Sequence, residues 1–85
     1  MQLRFTKSFE LEYKKVIKGN KTLQGKIHKQ LRILLENPAH PSLRLHKLHS
    51  EAYWSISVDK SIRMLVLLEK EWIYVYHIGK HEDVY

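Results

Sequence analysis

The sequence predicts a single α+β domain of order β-α-α-β-β-β, with an N-terminal helical hairpin packed on one face of an antiparallel sheet. Three observations carry that expectation. Apolar residues recur at helical spacing up to Asn37 and alternate from Tyr53 onward, so the period falls from about 3.6 to 2. Turn formers separate the periodic segments, at Gly19, Asn37-Pro38, Asp59-Lys60-Ser61 and Glu69-Lys70-Glu71. The 85 residues are 44% hydrophobic and 28% charged, which suits one thin core and excludes a disordered chain.

Each element has its own signal. Gln2 to Phe5 is a short strand. Thr6 caps a helix from Lys7, in which Phe9, Tyr13, Val16 and Ile17 fall on one face. Lys14, Lys15 and Lys18 complement its negative end, and Gly19 supplies the left-handed residue that stops it. A second helix from Lys21 carries Leu23, Ile27, Leu31, Leu34 and Leu35 on one stripe and ends at Asn37-Pro38, because the residue before proline avoids helical backbone. Leu43 to Leu48 adds a further short strand. Trp54, Ile56 and Val58 alternate with Tyr53, Ser55, Ser57 and Asp59, which sets one strand face on the core and one toward water. Ile62 to Leu68 is apolar on both faces except at Arg63, the mark of a central strand, and Trp72 to Ile78 follows, ending at Gly79.

Composition narrows the function classes. With no cysteine, disulfide staples, thiolate ligands and thiol nucleophiles are excluded. The N-terminus has no apolar signal core, and the longest hydrophobic run, Met64 to Leu68, is far below the roughly 20 residues of a membrane span. A soluble, cytoplasmic protein with no membrane partner is expected. Residues 1–49 hold eleven Lys/Arg against three acids, a net +8, whereas residues 50–85 carry a net −2. Such a basic half attracts polyanions, nucleic acid first among them, or serves solubility alone.

A few side chains stand out chemically. Alternation directs Met64, Val66 and Leu68 toward the helices with Ile56 and Val58, and turns Arg63 the other way, beside Ser55 and Ser57. A guanidinium there either grips phosphate through paired hydrogen bonds or forms a surface ion pair with Asp59 or Glu82. Five of the six histidines follow the hairpin: His40, His46, His49, His77 and His81. Histidine both accepts and donates a proton near neutrality, and His81, just past a glycine at a strand end, occupies a position typical of catalytic groups. With no cysteine and no His-Glu-x-x-His helix, neither a metal nor another cofactor is expected. Most of the aromatics pack on the sheet, while Tyr85 either stacks on a nucleobase or pegs the C-terminus.

An ordered set of motifs resembles the RelE/ParE toxin superfamily, nearest its RelE-like and YafQ-like branch. They are Phe5-Thr6-Lys7-Ser8-Phe9, Asn37-Pro38 with His40-Pro41-Ser42-Leu43-Arg44 and Lys47-Leu48, Tyr53-Trp54-Ser55-Ile56-Ser57-Val58 with Ile62-Arg63, and Ile78-Gly79-Lys80-His81-Glu82-Asp83-Val84-Tyr85. The resemblance covers nearly the whole chain. It implies the toxin of a type II toxin-antitoxin module, a metal-independent, ribosome-dependent endoribonuclease acting on messenger RNA. In that chemistry a 2′-hydroxyl attacks the adjacent phosphorus, a base removes its proton, a cation stabilises the phosphorane and an acid protonates the departing oxygen. Position by position, it implies Arg63 as the phosphate-stabilising cation, His81 as general acid and Tyr85 as the residue that orients or stacks on substrate. It further implies His46 as base and Lys47 as its electrostatic helper, with Lys47, His77, Arg44 and Lys80 as RNA-contacting residues.

The chain departs from that pattern at two positions. Ser57 stands where many members carry a second arginine, and His77 where YafQ-like members carry one. The alternatives are therefore a ParE-like inhibitor of DNA gyrase and a degenerate toxin retained for complex formation. The resemblance also implies partners: an acidic, partly disordered antitoxin, the ribosome and its mRNA, with DNA bound only through the antitoxin complex.

Overall fold

The computed structural model describes residues 1–48 and 52–80. The chain runs β1 (Gln2–Phe5), α1 (Lys7–Val16), α2 (Lys21–Glu36), a 3-10 turn (Pro41–Leu43), β2 (His46–Lys47), β3 (Trp54–Ser57), β4 (Ile62–Leu68) and β5 (Trp72–Lys80). One five-stranded sheet results, in the order β1-β5-β4-β3-β2. The α+β class and the helical hairpin on one face are as the sequence predicts.

Thr6 does three things at one junction. Its hydroxyl oxygen accepts the Phe9 N–H at 3.1 Å, starting α1. The same hydroxyl donates to the Tyr76 carbonyl at 2.9 Å, and its N–H to the Val75 carbonyl at 3.1 Å. Where β1 stops, α1 is thereby tied to β5. Gly19 takes the left-handed conformation at φ 68°, and Asn20 caps α2 by accepting the Leu23 N–H at 3.0 Å.

Phe9 of α1 and Leu23, Ile27, Leu31 and Leu34 of α2 bury themselves against Ile56, Met64, Val66, Ile73, Val75 and Ile78 of the sheet. Leu35 departs from the expected stripe, being 40% exposed, while Gln30 is buried. At about 100° per residue the buried stripe centres between Leu31 and Leu34, which leaves Leu35 at its margin and takes Gln30 inside. Gln30 offsets its burial by donating to the Ser42 carbonyl at 3.1 Å and the Ser57 carbonyl at 2.8 Å.

Three sheet features differ from the sequence reading. β1 joins β5 in parallel, with Gln2 opposite Trp72 and Phe5 opposite Val75, so the sheet is mixed. Alternation fixes which way a side chain points and carries no information about a neighbouring strand's direction. The segment Leu43 to Leu48 holds only the two-residue β2, because the 3-10 turn and a left-handed Arg44, φ 47°, precede it. β5 continues through Gly79, which pairs with Arg63, to Lys80. Leu65 pairs with His77 and Val66 with Val75, leaving Tyr76 as the extra residue of a β-bulge. No described helix is long and apolar enough to cross a membrane.

Candidate functional site

Arg63 lies on β4 opposite Ser57, with the core residues Met64 and Ile56 paired next to it. Successive strand residues face opposite ways, so Arg63 projects from the face away from the helices, as its position in the alternation predicts. Its Nε donates to the Ser55 hydroxyl. Its Nη2 donates to the Arg44 carbonyl at 3.0 Å and the Ser55 carbonyl at 3.3 Å. Ser55, expected to face water, is fully buried, and the half-buried Arg63 bonds directly to it. An arginine is charged at all ordinary pH, so this bonding holds a permanent cation on the sheet face.

His46 on β2 is the register partner of Ser55 and is exposed. Residues paired across an antiparallel ladder share a face, so His46, Ser55 and Arg63 lie on one side of the sheet. Arg44, also exposed, meets Arg63 through its main chain. Farther along that face, Tyr53 packs edge-on against Tyr76 with ring centroids 5.0 Å apart. Arg4 lies 4.2 Å above the Trp72 ring.

Of the other expected RNA contacts, Lys47 and Lys80 do not join this group, and His77 shares its face through the pairing with Leu65. Lys47 pairs with Trp54 and stands 5.8 Å from its ring centroid, on the helix-bearing side. His77 Nδ1 lies 3.2 Å from Glu12 Oε1, an oxygen that also accepts the Ile78 N–H at 3.3 Å. Lys80 lines a groove of about 400 Å³ with Glu12, Lys15, Val16 and Leu23. The structure thus gathers Arg63, His46 and Arg44, engages His77 of the same face with Glu12, and sets Lys47 and Lys80 apart. His49, His81, Glu82 and Tyr85 lie outside the described residues. Among the described residues no three His, Asp or Glu side chains converge as a metal site.

Asp59 lies two residues past β3 and shapes the turn into β4. Burial pushes its carboxyl up, but hydrogen bonds from the Ser61 and Ile62 N–H groups and the Ser61 hydroxyl, with the charge of Lys26, outweigh that and hold it below the usual carboxylate range. The two N–H contacts measure 2.8 and 2.7 Å. The next residues after Ile62 begin with Arg63, so this turn sets where the guanidinium enters the sheet.

Sequence reasoning set Ser55 beside Arg63, as found, but missed its burial and missed the Arg44 carbonyl. Alternation marks Ser55 as water-facing, and the Arg44 carbonyl gave no sign, since its aim comes from backbone rather than side-chain type.

No protein-family model matches the sequence, and no curated protein aligns with it. Solved structures do match in shape. YafQ from E. coli strain BL21(DE3) superposes with a TM-score of 0.82 at 15% identity, covering 98% of this chain and 96% of that one. A chain of the E. coli DinJ-YafQ toxin-antitoxin complex gives 0.81 at 13% identity, over 98% and 94% of the two chains. A YoeB/ParE toxin from Agrobacterium tumefaciens gives 0.83 at 19% identity, over 95% and 99%. With so few identical residues the likeness is one of architecture, and it extends end to end: this chain has the fold of the YafQ and YoeB/ParE toxins.

Proposed function

We propose that the chain is the toxin of a type II toxin-antitoxin pair and that it cleaves messenger RNA on the ribosome without a metal. The observation that carries this reading is Arg63, a cation anchored on the open face of a toxin-like sheet, with His46 across the neighbouring Ser55. In the proposed reaction His46 takes the proton of the 2′-hydroxyl as it attacks the adjacent phosphorus. Arg63 stabilises the charge on the phosphorane, and His81 protonates the departing 5′-oxygen. DNA has no 2′-hydroxyl and is spared. Tyr85 stacks on or orients the substrate, and the Arg44 side chain takes a flanking phosphate. Lys47, His77 and Lys80 add to the positive field that draws in RNA. Gly79 pairs with Arg63, and His81 follows Gly79 by two residues in the sequence, which supports joining the two in one role. The partners on this reading are the ribosome, its mRNA and an acidic, partly disordered antitoxin, as DinJ accompanies YafQ in the solved complex.

A second reading is favoured by two observations. The Ser57 hydroxyl donates to the Asp59 carbonyl at 3.0 Å, and His77 engages Glu12, so neither replaces the family's arginine with a fixed cation beside Arg63. On that reading the chain is a ParE-like gyrase inhibitor or a degenerate toxin.

Primer extension on mRNA from cells expressing the chain separates the two. Cuts at defined codon positions are expected. Arg63→Ala and His81→Ala should each lower cleavage by roughly 100- to 1,000-fold and relieve growth arrest, with fold and antitoxin binding intact. An absence of cuts selects the second reading, with growth arrest that persists in both variants marking the gyrase inhibitor and no arrest marking the degenerate toxin.

A further inference from the structure

We infer that Ser55 and the main-chain carbonyl of Arg44 are positioning groups that aim the Arg63 guanidinium at the scissile phosphate, an inference that rests on the nuclease reading. An arginine side chain is long and rotamer-rich, so a phosphate clamp acts in the transition state only if the fork is already aligned. Here the Nε and Nη2 donors lie along one edge of the planar fork, and both are engaged from the same side. Ser55 accepts through its hydroxyl and its carbonyl, and Arg44 accepts at 3.0 Å through its carbonyl. Fixing that edge fixes the plane and heading of the whole guanidinium.

Two further observations mark the arrangement as built. Arg44 is the one positive-φ residue other than glycine among those described, a conformation uncommon for a residue with a side chain. It follows the 3-10 turn, with its N–H donating to the Pro41 carbonyl at 3.1 Å, and its own carbonyl accepts from Arg63. The second observation is Gln30. This buried amide holds the carbonyls of Ser42 and Ser57, one two residues before Arg44 and the other two residues after Ser55. One side chain of α2 therefore anchors the backbone of both acceptors. Arg44 acts twice, through its carbonyl on Arg63 and through its side chain on RNA.

The test is steady-state cleavage of mRNA on programmed ribosomes by Ser55→Ala, Arg44→Gly, Arg63→Lys and the Ser55→Ala/Arg63→Lys double variant. Ser55→Ala should lower kcat by roughly 10- to 100-fold with little change in KM. Arg44→Gly, which keeps the carbonyl and adopts the left-handed conformation freely, should act on KM rather than kcat. In the Arg63→Lys background, which lacks the Nε donor, Ser55→Ala should cost almost nothing further, because residues acting as a unit are not additive. An equal loss from Ser55→Ala in both backgrounds, or a fall in kcat for Arg44→Gly matching that of Ser55→Ala, overturns the inference. The ¹⁵N signal of the Arg63 Nε–H gives a readout independent of cleavage. Slow solvent exchange in the wild-type chain, lost in Ser55→Ala and kept in Arg44→Gly, supports the positioning role, and fast exchange in the wild type overturns it. A wild-type chain that cuts nothing counts against the nuclease reading, and the Nε–H exchange then decides the positioning role alone.

Discussion

Asp59 is held charged by its neighbours although burial opposes the charge, and its removal measures what the β3–β4 turn contributes. Its folded pKa lies below the ordinary 3.8, so the folded state binds this proton more weakly than the unfolded state does. The resulting stabilisation is complete above the ordinary value and is lost as pH falls through the lower folded value. Asp59→Ala removes the acceptor for the Ser61 and Ile62 N–H groups, at a cost of about 1 kcal/mol for a partly exposed turn. At neutral pH the melting temperature should fall by roughly 4–8 °C, and calorimetry should show the gap to wild type closing below pH ~3.8. A gap that persists unchanged in acid would mean the carboxylate contributes nothing through its charge. Among single residues, the facing of Arg63 was legible because it interrupts an apolar strand, and parity then assigns its side. The place of Ser55 beside Arg63 was legible by the same parity, but its burial was not, since alternation marks it as water-facing. The aim of the Arg44 carbonyl is a backbone property that no side-chain pattern encodes.

Elements were legible where a local signal exists at each end. Thr6, Gly19 and Asn37-Pro38 act through contacts within a few residues, and the helix ends fall where they predict. Long-range pairing was not legible: the parallel union of β1 with β5 and the passage of β5 beyond Gly79 depend on which strands meet. The same limit hid Gln30, a polar residue inside an apolar stripe, whose partners lie on the 3-10 turn and β3. Gln30 joins three elements at once, so its replacement tests their coupling. Gln30→Leu adds apolar surface to α2 and leaves the Ser42 and Ser57 carbonyls without that donor. Unsatisfied groups of this kind cost about 1–3 kcal/mol each, more than one leucine burial at the stripe's edge recovers. Urea unfolding should show a lower midpoint with an unchanged slope, as for a loss of stability without a change in surface exposed. A variant as stable as wild type would mean water replaces the amide at both carbonyls.

For the whole molecule, size and charge act together. Eighty-five residues bury a thin core, so anything that binds only the folded state contributes a large share of the total stability. The net charge of +6 is concentrated in the first half, where both helices of the hairpin carry it outward on Lys14, Lys15, Lys26, Lys29 and Arg32. On the proposed reading the cognate antitoxin is acidic, so its attraction to the hairpin and its stabilisation of the fold have one electrostatic origin. Saturating antitoxin at 100 times its Kd should stabilise the chain by about 2.7 kcal/mol, a rise of roughly 10–20 °C in melting temperature for a domain of this size. Because the Debye length shortens from about 10 Å at 0.1 M salt to about 3 Å at 1 M, that rise should shrink as salt increases. Thermal unfolding with and without the antitoxin, at two ionic strengths, checks both parts. Equal melting temperatures at low salt would remove the linkage, while a rise that salt leaves untouched would assign the binding to apolar contact alone.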